Sequence, residues 1–152
     1  NMQGYYKNIE ETNKVIQDGY LYTGDLGYLD KKGRLHYTQR LKRLIVSSGY
    51  NIYPSQIEAV IKKHNLVENC IVVGVPHPYK VNVPKAYVVI KKGYETQKIK
   101  LKKELDDLCK VNLLKMSIPK EIEVISELPK TNMGKVDYRS LEEANQKVMK
   151  LK

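Results

Sequence analysis

The chain contains no tryptophan and no phenylalanine, and only two of its 152 residues are cysteines. Cys70 and Cys109 stand far apart in apolar segments, and neither a CxxC pair nor a Cys/His ligand spacing occurs. The sequence therefore gives no support to a disulfide framework or a zinc finger, and we expect two reduced thiols in a core. Because His36, His64 and His77 form no ligand pattern either, no metal site is expected in this chain.

Long hydrophobic runs are also missing. No stretch approaches the roughly 20 apolar residues with which a helix crosses a bilayer. The opening segment NMQGYYKNIEET is polar from the start, which is not typical of a secretory signal peptide. We therefore expect a cytoplasmic protein without a transmembrane segment. With 41% hydrophobic and 29% charged residues, 152 residues suffice for one ordinary globular domain with a core.

Acidic residues are outnumbered, with 17 Asp and Glu against 27 Lys and Arg, for a formal net charge of +10. Residues 1–42 hold 7 basic and 5 acidic residues, whereas residues 43–152 hold 20 and 12, so the excess lies in the later segment. Such a balance serves solubility or attracts polyanions. Nucleic acid is not the expected partner, because no zinc-finger, basic-zipper or RNA-recognition signature occurs and the lysines of KKGYETQKIKLKKELDD are mixed with acids on an expected helix.

The segment LPKTNMGKVD, Leu128 to Asp137, is the most informative motif present. Turn-forming residues, namely Pro, Thr, Asn and Gly, precede Lys135 and predict an exposed, shaped loop. Loops of this kind often carry function. A lone lysine held on such a loop indicates phosphate chemistry, and an ordinary basic turn is the alternative.

Hydrophobic periodicity predicts the elements around this motif. Short β-type runs alternate with turns from residue 20 to residue 40, with a hairpin loop at residues 30–33. A strand is expected over residues 43–47, then a loop over residues 48–53. The remaining expected elements are a helix from Pro54 with Ile57, Val60 and Ile61 facing a core, strands over residues 70–75 and 86–90, a helix with Leu101, Leu105 and Leu108 on one face that ends near Asn112, a strand over residues 120–126 and a helix from Tyr138.

Four segments occur in the order in which adenylate-forming enzymes carry them: MQGYYKNIEETNKVIQDGYLYTGD, RLKRLIVSSGYNIYPSQIE, VVGVPHPYKVNVPKAYVVIKKG and ELPKTNMGKVD. On these motifs the chain resembles the carboxy-terminal part of an acyl-CoA synthetase. This superfamily of AMP-dependent synthetases and ligases includes aryl-CoA ligases, firefly-type luciferases and amino-acid adenylation domains. The matching segments cover nearly the whole chain.

The resemblance implies an α+β fold in two parts. Residues 1–42 correspond to the β-rich end of the large amino-terminal, adenylate-binding domain. Residues 43–152 correspond to the carboxy-terminal mobile lid domain, a short antiparallel sheet flanked by helices. The family's Ser/Thr/Gly-rich phosphate loop and acyl pocket match nothing in the chain, so we expect the chain to be inactive alone and to act with its own amino-terminal domain.

The activity that the resemblance implies is that of a fatty acid:CoA ligase that forms AMP and pyrophosphate. Its substrates are ATP, a carboxylic acid and CoA, and the Mg²⁺ that accompanies ATP is bound mainly by the large domain. The motif GYNIYPSQIE is closer to fatty- and aryl-CoA ligases than to amino-acid adenylation domains. Two alternatives stay open: a carrier-protein-linked enzyme that adenylates amino acids or aryl acids, and a non-catalytic basic binding module with the same fold.

The resemblance also assigns roles to nucleotide-contacting residues. Lys135 is the expected catalytic residue and holds the substrate carboxylate and the α-phosphate during adenylation. Asp25 accepts hydrogen bonds from the ribose hydroxyls, and Arg40 donates to the nucleotide nearby. For each there is a plainer reading, respectively a basic turn, a turn-capping aspartate and a surface arginine.

Three further residues are assigned to movement and to the thiol. Lys42 is the expected interdomain hinge, about which the lid turns between the two half-reactions. Ser48 and Gly49 are expected to line the CoA channel, where glycine lets the backbone pass close to the pantetheine arm. Departures from the family pattern occur at Val46, where many relatives have lysine, and at Gln39, where some have an acid.

Overall fold

A computed structural model of the chain describes residues 2–150, with side chains described through residue 147. The chain divides into two compact units, Asn1–Lys42 and Arg43–Lys152. The assignment of these units to a large domain and a lid stays a prediction.

The first unit is built from two hairpins preceded by a helix. Its elements are α1 (Ile9–Val15), β1 (Ile16–Gln17), β2 (Tyr20–Leu21), β3 (Asp25–Leu29) and β4 (Leu35–Arg40). Strands β1 and β2 pair antiparallel, as do β3 and β4. The side chain of Asn8 caps α1 by accepting from the backbone N–H of Glu11 at 3.0 Å. The polar pattern of this segment had not indicated α1.

The β3–β4 connection is the hairpin loop that the sequence predicts over residues 30–33. Asp30 holds it together, because Oδ1 accepts from the backbone N–H groups of Lys32 and Arg34 while Oδ2 contacts Arg34 Nε at 2.7 Å and His36 Nε2 at 3.0 Å. Hydrogen bonds from His36 and Arg34 lower the pKa of the Asp30 carboxyl to about 2. One carboxylate therefore fixes the turn and the base of strand β4.

The second unit is a five-stranded sheet with helices on both faces. Its strands are β5 (Ile45–Ser47), β6 (Tyr50–Ile52), β7 (Val67–His77), β8 (Val81–Ile90) and β9 (Glu121–Ile125), and its α-helices are α2 (Pro54–Ile61), α3 (Lys98–Asn112) and α4 (Tyr138–Lys150). The central strand β8 pairs antiparallel with β7 along its length and with β5 at its first residue. Strand β9 joins β8 in parallel, and β6 extends the sheet beyond β5.

Two cores lie on opposite faces of this sheet. On one face, helices α2 and α3 bury Ile57, Ile61, Leu101, Leu105 and Cys109 completely against the strands. On the other face, α4 and the segment before it pack Val136, Tyr138 and Leu141 against Tyr87 and Val89. Because both faces are covered, the strand segment Ala86–Ile90 is buried throughout, which explains its unbroken apolar run.

The predicted helices and long strands of this unit are confirmed. Pro54 opens α2, and the stripe of Ile57, Val60 and Ile61 is buried as expected. The predicted loop over residues 48–53 is wrong, because strand β6 occupies Tyr50–Ile52, and β5 begins at Ile45, two residues later than expected. Strand β9 adds a parallel pair to an otherwise antiparallel sheet.

Both cysteine side chains are buried free thiols in the core between the sheet and the helices. Burial raises the pKa of Cys70 to about 12 and that of Cys109 to about 11, since the apolar surroundings disfavour a thiolate. They therefore act as small core residues in the neutral pH range. Across residues 2–150, no helix has both the length and the apolarity needed to cross a membrane.

Candidate functional site

The structure brings together two residues that the sequence predicts at the nucleotide, Asp25 and Arg40. They face each other in the register of strands β3 and β4, and Arg40 Nε lies 2.9 Å from Asp25 Oδ1. Arg40 Nη1 also donates to the carbonyl oxygen of Thr23 at 2.7 Å, which fixes the guanidinium plane. Both side chains are partly exposed, at 56% for Arg40 and 34% for Asp25, so a ligand can reach the pair.

The contact leaves acceptor capacity on the carboxylate. Within the described residues, Asp25 Oδ2 accepts no hydrogen bond, and Oδ1 is shared with Arg40 alone. A carboxylate oxygen has two lone pairs, so the pair offers acceptors from Asp25 and remaining N–H donors from Arg40 on one surface. The acceptors of Asp25 suit the hydroxyl groups of a diol, and the donors of Arg40 suit an anion beside it.

Lys42 ends the first unit and lies within the short 3₁₀ turn Leu41–Arg43. Its side chain is exposed, and the backbone N–H of Leu41 donates to the carbonyl of Gly24 at 2.8 Å. The division between the units falls directly after this residue. Its role as a hinge stays a prediction.

Ser48 and Gly49 form the two-residue turn that joins β5 to β6. Ser47 pairs with Tyr50 across the turn, and φ is +48° at Ser48 and +82° at Gly49, the left-handed values that tight hairpin turns require. A Cβ at Gly49 would meet no atom within 4 Å. Glycine is therefore favoured at position 49 by the positive φ of the turn, and the surface above it is open.

The turn is held by the neighbouring connection between β7 and β8. The backbone N–H of Ser48 donates to the carbonyl of Lys80 at 3.1 Å, and Asn82 N–H donates to the same oxygen at 2.8 Å. The second bond closes a γ-turn centred on Val81, whose φ of +66° is rare for a β-branched residue. Strained backbone of this kind collects near functional sites, and here it adjoins Ser48.

Lys135 lies on the loop between β9 and α4, which backbone hydrogen bonds shape into a tight turn. The N–H of Thr131 donates to the carbonyl of Lys135 at 2.7 Å, that of Gly134 to Thr131 at 2.8 Å, and that of Asp137 to Pro129 at 2.8 Å. Gly134 has φ of +77°, which favours glycine at that point. These hydrogen bonds give the loop a defined conformation, and the packing of the residues that follow anchors it to the sheet.

The side chain of Lys135 points out of this anchored turn. The residue is exposed, and its Nζ takes part in no ion pair or side-chain hydrogen bond within the described part of the chain. No hydrogen bond or ion pair in that part joins it to Ser48 or Gly49 either. A cation on a fixed loop with no internal counter-charge is available to an external anion.

Two charged clusters in the second unit were not predicted from the sequence. Arg43 forms an ion pair with Glu58, and both side chains are largely buried, at 18% and 12% exposed. The Lys85 ammonium is buried between Glu121 at 3.2 Å and Glu123 at 2.8 Å. Burial disfavours the Lys85 charge, but hydrogen bonds to the two carboxylates outweigh it and raise the pKa. In the sequence, a charged residue next to apolar positions was the only sign of these buried ion pairs.

Over the described side chains, no group of three or more His, Cys, Asp and Glu converges on a common point. Lys135 and Arg40 are cationic donors, which suit phosphate oxygens rather than a metal ion. The Asp25–Arg40 pair of the first unit can hold a ribose-like diol, and Lys135 of the second unit can bind an anion.

Comparison with known proteins gives consistent matches along the chain. A long-chain-fatty-acid–CoA ligase of Bacillus subtilis is 40% identical over 92% of this chain and 24% of its own length. A 2-succinylbenzoate–CoA ligase of Listeria innocua is 40% identical over 92% of this chain and 29% of its own length. The chain therefore spans only about a quarter to three tenths of these curated relatives.

Solved structures agree with these relatives. The ATP-bound structure of MatB from Rhodopseudomonas palustris has a TM-score of 0.84 and 32% identity, and the match covers 93% of this chain and 28% of that one. The family model described as the AMP-binding enzyme C-terminal domain matches residues 56–135, which is more than half of the chain. The predicted resemblance to the carboxy-terminal part of adenylate-forming enzymes is confirmed, and the chain belongs to the family of AMP-binding enzyme C-terminal domains.

Proposed function

We propose that this chain is the carboxy-terminal part of an ATP-dependent acyl-CoA ligase, with a fatty acid as the carboxylic substrate. Residues 1–42 complete the adenylate-binding domain, and residues 43–152 are the lid. The observation that carries the proposal is the anchored loop that presents Lys135 without an internal counter-charge, in a chain 40% identical to a fatty-acid–CoA ligase.

In the first half-reaction, a carboxylate oxygen of the acid attacks the α-phosphorus of ATP, and pyrophosphate leaves. Negative charge builds on the α-phosphate oxygens in the transition state, and the Lys135 ammonium stabilises it there. Asp25 accepts from the ribose hydroxyls while Arg40 holds Asp25 and donates to the nucleotide. These residues bind and orient; the acyl pocket and the ligands of the Mg²⁺ that accompanies ATP belong to the rest of the protein.

In the second half-reaction, the CoA thiolate attacks the acyl carbon of the adenylate, and AMP leaves. We propose that the lid turns at Lys42 so that the Ser48–Gly49 turn replaces Lys135 at the reacting centre. The open surface above Gly49 gives the pantetheine arm room to pass. Because the phosphate loop and the acyl pocket are expected in the large domain, the chain without that domain should catalyse neither step.

A second candidate substrate is an aromatic acid such as 2-succinylbenzoate. The relative that bears this name is as similar to the chain as the fatty-acid ligase, at 40% identity in each case. The residues described here contact the nucleotide and the thiol in either reaction. They therefore do not separate the two acids.

A panel of carboxylates tests the proposal on the complete protein. We expect ATP- and CoA-dependent release of AMP and pyrophosphate with long-chain fatty acids, and a substantially lower rate with 2-succinylbenzoate, benzoate and the common amino acids. Replacing CoA with a phosphopantetheine-bearing carrier protein should abolish turnover. Activity only with the carrier would point to a carrier-linked adenylating enzyme, and no activity with any acid would support a non-catalytic module.

Replacing Arg40 with lysine should weaken ATP binding. Lysine keeps the positive charge but loses the planar fork that bonds Asp25 and Thr23 together. Loss of one charge-assisted hydrogen bond of about 1.5–3 kcal/mol predicts a rise of roughly 10-fold or more in KM for ATP. Steady-state kinetics with varied ATP measure this effect.

Arg34→Lys is the matched control. Arg34 forms a comparable exposed ion pair, with Asp30 at 2.7 Å, in the loop of the same hairpin. This variant should leave KM for ATP within about twofold of the wild type. An equal rise in both variants would mean that hairpin stability, and not nucleotide contact, underlies the effect of Arg40.

A further inference from the structure

Arg43 is the first residue of the second unit and directly follows Lys42. Its guanidinium contacts three different elements. It forms an ion pair with Glu58 of α2, and its Nη2 lies 3.3 Å from the carbonyl oxygen of Val72 in β7. Its central carbon lies 5.6 Å from the ring centroid of Tyr138, the first residue of α4. One side chain thus connects two helices and a strand.

The partner carboxylate is equally engaged. Glu58 Oε1 also accepts from the backbone N–H of Val72 at 2.9 Å, so the ion pair is tied to β7 from both sides. Arg43 and Glu58 are 18% and 12% exposed, respectively, so the pair is largely shielded from water. A buried pair with its hydrogen bonds made is rigid, and removal of one partner leaves a costly uncompensated charge.

The electrostatic environment of α4 agrees with this placement. Glu142 lies one turn after Tyr138, and burial raises the pKa of its carboxyl, while the positive charges of Arg43 and Arg139 partly oppose that rise. Arg43 therefore lies close enough to α4 for its charge to act on a second residue of the helix.

The elements that Arg43 connects lead to the two loops proposed to act in catalysis. Helix α2 follows the Ser48–Gly49 turn after strand β6, and α4 begins three residues after Lys135. We propose that Arg43 is a positioning residue that fastens the pivot at Lys42 to both loops. The lid then turns as one rigid body, from its first residue onward. This inference rests on the proposed function.

The contacts of Arg43 would affect catalysis because they restrict backbone movement next to the pivot. If Arg43 were free, residues 43 and 44 could absorb part of any rotation before strand β5 begins at Ile45. Both loops would then reach their reacting geometry less often. Misplacement by about 1 Å can cost 10²-fold in rate, so a small freedom at this point affects both half-reactions.

Arg43→Met in the complete protein tests the inference. We expect kcat to fall about 10-fold or more in both half-reactions by similar factors, with KM for ATP and for CoA within about twofold, because no substrate contact is removed. Tryptic cleavage after Lys42, identified by fragment mass, should accelerate. Arg43→Lys can still pair with Glu58 but cannot also reach Val72 and stack on Tyr138, so it should show the same pattern more weakly.

Leu105→Ala provides the matched control for stability. Leu105 is fully buried in α3, and its truncation lowers the melting temperature without touching the pivot. It should keep kcat for both half-reactions within about threefold at a temperature where each variant is folded. Equal kcat losses in Leu105→Ala and Arg43→Met, or a loss in one half-reaction only, would overturn the inference.

Two remaining outcomes are also decisive. If Arg43→Met does not fold, Arg43→Lys carries the same test with the same expected pattern. If the complete wild-type protein ligates no carboxylate, the proposed function fails. The rate of tryptic cleavage after Lys42 then tests by itself whether Arg43 fastens the pivot, and an unchanged rate in the Arg43 variants overturns the inference.

Discussion

Replacing Lys135 with alanine in the complete protein should slow adenylation by about 10²–10³-fold, the usual effect of losing one transition-state contact. Thioester formation from pre-made acyl-adenylate should stay within about threefold of the wild type. The difference arises because the ammonium is proposed to act on the α-phosphate, where charge builds only in the first half-reaction. Pyrophosphate release and single-turnover thioester formation measure the two steps separately.

Stability should not confound this result. Lys135 is exposed, and its ammonium has no ion-pair partner within the described residues, so its truncation breaks no ion pair there. Lys130→Ala is the matched control, because Lys130 is an exposed lysine at the base of the same loop, across the isolated bridge from Val136. It should alter adenylation by less than about threefold. Equal losses in both half-reactions of Lys135→Ala would contradict the assignment.

Much of the fold could be predicted because helices and sheets repeat their apolar positions. The spacing of Ile57, Val60 and Ile61 indicates the buried face of α2, and the run Ala86–Ile90 indicates a strand covered on both faces. Strand β6 was missed because it has only three residues and follows a turn whose first residue, Ser48, lacks the usual preference for positive φ.

The charged interior could not be predicted for a different reason. Arg43 and Glu58 are 15 residues apart, and tertiary packing brings the segment before β5 and helix α2 together. Lys85 reads as a polar interruption of an apolar strand, yet two carboxylates on β9 hold it in a buried position. A sequence pattern records which residues are charged, whereas the identity of their partners depends on tertiary structure.

The candidate site also has features that the sequence indicates and features that depend on tertiary structure. The roles of Lys135, Asp25, Arg40 and Gly49 were inferred from the resemblance of the motifs around them to adenylate-forming enzymes. The ion pair of Asp25 with Arg40 depends on the register of a hairpin and could not be seen there. Their catalytic roles stay predictions, which the variants described above test.

Replacing Gly49 with leucine should reduce the use of CoA by about 10²-fold while ATP–pyrophosphate exchange stays within about threefold. A Cβ at Gly49 would meet no atom of the described chain within 4 Å, so the added side chain starts in open space. The leucine side chain would project into the space proposed for the pantetheine arm, and displacement of the thiol by about 1 Å suffices for an effect of this size. The rate of thioester formation with varied CoA measures it.

Backbone strain has to be separated from obstruction, since leucine at φ of +82° costs about 1–2 kcal/mol. Gly93→Leu imposes the same kind of strain, because Gly93 has φ of +88° and equally open surroundings in the connection between β8 and α3. Gly49→Asn adds a smaller side chain that tolerates the left-handed region. If obstruction is the cause, the loss of CoA use should be smallest in Gly93→Leu, larger in Gly49→Asn and largest in Gly49→Leu. Similar losses in the two leucine variants would instead identify backbone strain as the cause.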